Sequence, residues 1–177
     1  FAEAHREIAL AGGEAPSLRG FPPSTAHQIM ALAERAGPGL NGEGDITAVF
    51  TVLVAGSDMD EPVADILRGV LDGHVVLDRA IAERGRFPAI DLLRSVSRSL
   101  PAAATPGENA YIAEARRLIG AYERAEMMVQ AGLYAHGSDP LTDRAIKLWP
   151  RLDAFMAGRG AAHAGESFGR LRKVLEG

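Results

Sequence analysis

Residues 45–56, DITAVFTVLVAG, decide the fold class of this 177-residue chain. Ile46, Val49, Phe50, Val52, Leu53 and Val54, with Thr47 and Thr51, are β-formers, and the run is nearly continuous rather than alternating. An alternating strand keeps one wet face, whereas a continuous apolar strand is buried on both, as in sheets covered by helices on either side. The reading is therefore a strand within a layered α/β arrangement.

Punctuation outward from that run supports the same reading. Upstream, residues 1–11 have helical character and stop at Gly12-Gly13, a common helix terminator. No capping residue precedes Phe1, so the chain is expected to enter in mid-helix as a piece of a longer protein. Pro22-Pro23 cannot continue a helix. Ser24 or Thr25 then caps a helix over about 25–36, with Thr25 and Gln28 in capping-box spacing. Downstream, GSDMDEP is an acidic loop, and Pro62 opens the helix PVADILRGVLDG. HVVLD (74–78) is a short strand, and RAIAERG is a helix closed by Gly85.

The texture changes after AIDLLRSVSRSLPAAATPGENA (89–110), with a boundary at about 101–107. Beyond Thr105 the β-branched runs give way to helical periodicity. Ile112, Ala115, Ile119, Tyr122, Val129 and Leu133 share one face, and Leu141, Ala145, Leu148, Leu152 and Phe155 share another. AHGSDP forms the corner between these helices, and GESFGRLRKVLEG a last short helix. Two parts are expected: residues 1–104, α/β, and residues 105–177, a helical bundle.

Composition excludes several classes. A chain of this length buries roughly 70% of its unfolded surface, so it folds without staples. Zero cysteines remove disulfides and thiolate metal sites, and a reducing cytosol fits. No apolar run approaches the roughly 20 residues of a membrane span, and mean hydropathy is near zero. Net charge is −4, with 9 basic against 14 acidic groups in residues 1–100 and 10 against 9 in residues 101–177. Neither half carries the basic stripe of a nucleic-acid binder. Only Lys147 and Lys173 accompany 17 arginines, so no lysine precedes position 147.

Familiar catalytic patterns are missing. GESFG (165–169) matches G-x-S-x-G formally, but no strand precedes it and no acid–His pair follows Ser167 in the required order. His5, His27, His74, His136 and His163 form no i,i+4 pair, so no metal site is expected. SDMDEP lacks the Gly and Glu positions of a calcium loop; Asp60 and Glu61 instead complement a helix dipole. A phosphate-cradling G-x-x-x-x-G-K-[ST] is impossible without a GK pair, so the chain alone is not expected to hydrolyse ATP.

Three stretches carry a resemblance: FAEAHREIALAGGEAPSLRGFPPS, GDITAVFTVLVAGSDMDEPVADILRGVLDGHVVLDRAIAERGRFPAIDLLRSVSR and YAHGSDPLTDRAIKLWPRLDAFM. Together they resemble the second half of the flagellum-specific ATPases of type III protein export, and more distantly the catalytic subunits of rotary ATP synthases. The resemblance implies an α/β fold, the C-terminal part of a RecA-like core lacking its P-loop, followed by an all-α helical bundle. It also implies that Walker A and Walker B lie before Phe1, which accounts for the capless helix and the absent lysines, and leaves the fragment alone inactive.

Residue roles follow from the same resemblance. Arg98 of SVSR matches the family's arginine finger, which reaches a neighbour's ATP in a homohexamer; from the residues alone, Arg98 pairs with Asp91 or a helix end. Phe21 and Pro22 of RGFPPS match the adenine-facing stretch, where the family usually has tyrosine. Phe21 as a hydrophobic plug beside Pro22 is the alternative. Ser57, Asp58, Asp60 and Glu61 match a loop that meets a central coiled-coil stalk, and Ser138 and Asp139 a stalk-facing corner; both can equally be solvated loops. ATP with Mg2+ is implied for the parent enzyme, none bound tightly by the fragment. Export chaperone–substrate complexes are implied partners, nucleic acid and membrane insertion are not, and the implied location is cytoplasmic, peripheral to the inner-membrane export gate. A virulence-secretion ATPase is similar throughout, and a non-catalytic helical interaction module is the alternative of a different class.

Overall fold

The computed structural model describes residues 1–177, the side chains of Leu18 and Ser57 excepted. The chain divides into two compact units, Phe1–Asp72 and Gly73–Gly177.

The first unit holds three helices, α1 (Ala2–Ala11), α2 (Pro23–Ala33) and α3 (Pro62–Val70). α1 ends at Gly12-Gly13 as the sequence predicts, with the Gly12 N–H bonded to the Ile8 carbonyl and Gly13 at φ +90°. α2 begins earlier than expected, because Pro22 and Pro23 supply backbone angles already suited to a helix start. Neither Ser24 nor Thr25 caps it. The cap comes from outside the helix: the Glu14 carboxylate accepts from the Ser24 N–H (2.9 Å) and hydroxyl (2.5 Å). Those bonds, led by the hydroxyl, hold the Glu14 pKa below its ordinary value. Thr25 is 1% exposed and its hydroxyl meets His5 Nδ1 at 3.0 Å, tying α1 to α2. α3 starts at Pro62 as expected and buries Ala64 and Leu67.

The run that most resembles a strand forms none. Ile46 makes one antiparallel bridge to Gly37, and residues 47–54 join no ladder. Ile46, Val49 and Leu53 are 61%, 89% and 91% exposed. β-forming residues stabilise a strand only against neighbours on both edges and faces, and among the described residues no strand lies beside this one.

The second unit joins a hairpin to a helical bundle. β1 (Gly73–Leu77) and β2 (Ile90–Ser97) pair antiparallel, linked through α4 (Arg79–Glu83). Asp78 caps α4 by accepting from the Ala80 and Ile81 N–H groups, and Gly85 closes it at φ +81°. α5 (Pro106–Gln130), α6 (Pro140–Ala157) and α7 (Ala164–Glu176) pack pairwise. Thr105 and Glu108 form a reciprocal capping box at the start of α5. The core is Ala115, Leu118, Ile119, Ala121, Ala145, Leu148, Leu152, Leu171 and Leu175, and Leu92 and Leu93 of β2 pack onto it. Tyr122 and Trp149 stack at 4.0 Å across α5 and α6. The expected face over Ala145, Leu148 and Leu152 is buried, but Leu133 is 73% exposed. α5 stops at Gln130, and Gly132 turns the chain at φ +68°, so Leu133 has left the helical face. No helix among the described residues is long and apolar enough to cross a membrane.

Candidate functional site

β2 is irregular just where it leads to Arg98. Leu77 and Val76 face Ile90 and Asp91, while His74 and Gly73 face Val96 and Ser97. Val75 alone therefore spans the four residues Leu92–Ser95, which leave the ladder as a wide bulge. Such an excursion exposes carbonyls and N–H groups that a regular strand would pair, so each needs another partner.

Side chains supply those partners. Asp91 Oδ1 accepts from the N–H groups of Leu93 and Arg94, both at 3.0 Å. The Ser95 hydroxyl donates to the Asp91 carbonyl at 2.5 Å and accepts from the Val76 N–H at 3.0 Å, bridging the two strands across the gap. His74 Nε2 donates to the Arg94 carbonyl at 3.1 Å, which fixes the proton on Nε2. From α5, the Arg116 guanidinium donates to the carbonyls of Leu92 (2.6 Å), Leu93 (2.9 Å) and Ser95 (3.3 Å). The strands then close tightly at the exit. A Cβ on Gly73 would lie 2.4 Å from the Val96 carbonyl oxygen, so only glycine fits there. Arg98 is the first residue past β2, in a turn, and is exposed.

In the first unit, Phe21 is half-buried beside Pro22, which is fully buried. Pro22 thus sets the direction of Phe21 rather than offering a surface of its own. The Arg6 guanidinium lies 5.0 Å from the Phe21 ring centroid, a cation–π contact that leaves at most one ring face for a flat ligand. Arg19, in the left-handed region at φ +48°, bonds Asp58 Oδ2 at 2.5 Å and joins this loop to the acidic one. The Asp58 carboxyl sits below its ordinary pKa, chiefly through that bond and then through the Asp60 N–H. Asp60 is 87% exposed and 3.7 Å from Arg68. Glu61 accepts from the Ala55 N–H. The side chain of Ser57 lies outside the described ones.

At the corner between α5 and α6, Asp139 caps α6 by accepting from the N–H groups of Leu141 (3.2 Å) and Thr142 (3.1 Å) and from the Thr142 hydroxyl. Asp143 organises the rest. It accepts from the Tyr134 hydroxyl (3.0 Å) and the Gly137 N–H (2.9 Å), and pairs with His136 Nδ1 (2.9 Å). Ser138 is exposed, and Met127 and Leu133 stand out beside the corner at 82% and 73% exposure. Among the described residues, no group of three or more His, Asp or Glu side chains could hold a metal ion.

In chain order, three helices, a β-hairpin and three further helices match the C-terminal part of a RecA-like nucleotide-binding core, without its phosphate loop, followed by a helical domain. Residues 1–97 match the ATP synthase alpha/beta family nucleotide-binding domain, and the chain belongs to that family. Residues 104–163 match the C-terminal domain of the type III secretion ATPase EscN. The chain is 46% identical, over 99% of its length and 41% of the relative's, to the flagellum-specific ATP synthase of Caulobacter vibrioides. It superposes on the assembled ATPase EscN of enteropathogenic E. coli with a TM-score of 0.92 at 37% identity, covering 99% of this chain and 42% of that one. The structure of EscN in complex with its central stalk EscO matches with a TM-score of 0.86 at 37% identity, over 99% and 42%. The chain thus spans about two fifths of the length of these relatives.

Proposed function

We propose that this chain is the C-terminal part of a flagellar type III protein-export ATPase. Residues 1–104 end its nucleotide-binding domain and residues 105–177 form its helical domain. The full-length subunits assemble as a homohexamer and hydrolyse ATP to ADP and phosphate, releasing chaperones and unfolding substrates for export. Arg98 acts in trans. It reaches the γ-phosphate held by a neighbouring subunit and neutralises charge that spreads over the transferred phosphoryl oxygens as water attacks, and a planar, permanently charged guanidinium suits that task.

The observation that carries this reading is the exposure of Arg98 one residue beyond β2, on a strand whose bulge is bonded to α5. Flagellum-specific relatives are 42–48% identical and a type 3 secretion system ATPase of Sinorhizobium fredii is 46% identical, so a virulence-secretion ATPase is the second reading. Phe21 offers one ring face to adenine, and Pro22 backs it. ATP carries Mg2+, whose protein ligands lie in the phosphate-loop part of the subunit. The loop with Ser57, Asp58, Asp60 and Glu61, and the corner with Ser138 and Asp139, face a coiled-coil stalk. Chaperone–substrate complexes dock on the helical domain, at the cytoplasmic side of the export gate.

Arg98→Ala in the full-length protein tests the reading. ATP turnover falls by about 10³-fold or more, the range for arginine fingers, while ATP still binds. Turnover equal to the wild type at matched concentration refutes it.

A further inference from the structure

We propose that Arg116 is the positioning residue that sets where the Arg98 guanidinium sits, an inference that rests on Arg98 acting as the finger. A regular strand fixes its last residue through its ladder. β2 cannot, because four of its eight residues bulge out of register before the ladder resumes for only two pairs, His74 with Val96 and Gly73 with Ser97.

The bulge is held instead by side chains from other elements: His74 of β1 bonds the Arg94 carbonyl, and Arg116 of α5 takes the other three. Arg116 donates to three of the four bulged residues' carbonyls, those of Leu92, Leu93 and Ser95, at 2.6, 2.9 and 3.3 Å. Among the described residues it enters no ion pair, so its donors serve this strand. Its neighbours on α5, Ala115, Leu118 and Ile119, are buried core residues, so the guanidinium is carried on a rigid support. Ser95 locks the same bulge from the strand side through Val76 and Asp91.

Arginine is required by the geometry. Three acceptors along a curved backbone need a planar fork with several N–H groups, and the single ammonium of lysine cannot span them at once. Loss of the fork frees the bulge to slip relative to α5 and carries Arg98 with it. Displacement of a catalytic group by about 1 Å costs on the order of 100-fold in rate.

The test uses the full-length ATPase with Arg116→Met, Arg116→Lys, Arg98→Ala and the double variant Arg98→Ala/Arg116→Met. Arg116→Met is expected to lower kcat about 100-fold while KM moves less than about threefold, the mark of an interaction that matters in the transition state. Arg116→Lys falls between it and the wild type. The double variant is no slower than Arg98→Ala alone, because both changes disable one function. A kcat within about twofold of wild type for Arg116→Met, or losses that multiply in the double variant, overturns the proposal. If Arg116→Met fails to fold, Arg116→Lys decides: lowered kcat at constant KM supports the positioning role, and wild-type kcat overturns it. Wild-type turnover in Arg98→Ala, by contrast, overturns the finger reading beneath.

Discussion

Truncating Leu118 to alanine tests the packing of the bundle that supports β2. Leu118 is 0% exposed at the centre of the cluster shared by α5, α6 and α7. The change removes about three carbons of buried apolar side chain, worth about 2.4 kcal/mol at ~0.8 kcal/mol per methylene. A residual cavity of ~50 Å³ adds about 1 kcal/mol at ~24 cal/mol per Å³. A loss of about 3.5 kcal/mol results, which for a chain of this size lowers Tm by about 10 °C. Trp149 is the single tryptophan and stacks on Tyr122 within the same bundle, so its fluorescence reports unfolding of this unit. Leu133→Ala is the matched control. At 73% exposure it should cost under about 0.5 kcal/mol. Equal losses for the two variants, or a Leu118→Ala loss below about 1 kcal/mol, would refute the assigned core.

Gly73→Ala forces a Cβ to within 2.4 Å of the Val96 carbonyl oxygen. It should cost about 2 kcal/mol by thermal melt, and an unchanged Tm would show that the strands do not close there. Asp139 lies below its ordinary carboxylate pKa, first through the Thr142 hydroxyl and then through the N–H groups of Leu141 and Thr142. A depressed folded pKa gives stability that is present above the unfolded value and is lost as pH falls through the folded one. Urea midpoints from pH 7 down to pH ~3 should therefore decline less for Asp139→Asn than for the wild type; parallel declines would contradict this. In the full-length protein, Phe21→Tyr should leave ATP affinity nearly unchanged and Phe21→Ala should weaken it about tenfold, as loss of a stacking face does. Unaltered binding by Phe21→Ala would make Phe21 a plug.

The legible parts of the fold are those written in local chemistry. Pro62, Gly12-Gly13 and Gly85 announce helix ends through fixed or positive φ, and Ala145, Leu148 and Leu152 repeat at the helical period. Nonlocal partners erase the rest. Residues 46–54 carry strand chemistry, yet a strand exists only with neighbours, and none among the described residues supplies them. Residues 90–97 do not announce β2, since Asp91, Arg94 and the serines break the alternation a paired strand shows. Glu14 caps a helix ten residues ahead of it, a role that capping-box spacing had assigned to Thr25. Arg98 could be singled out only through the resemblance of its SVSR motif. Arg116 carried no local signal at all, because its three acceptors lie 21–24 residues away on a bulge that pattern alone does not reveal.

Mixing two inactive full-length variants tests the central claim most directly. Arg98→Ala subunits keep a phosphate loop but lack the finger, whereas subunits with a disabled phosphate-loop lysine keep Arg98. In rings assembled from equal amounts, about a quarter of the interfaces pair an intact loop with an intact finger. The account predicts that ATP turnover, absent from either variant alone, appears in the mixture. A mixture as silent as its components, or an Arg98→Ala protein that turns over ATP unaided, would contradict it.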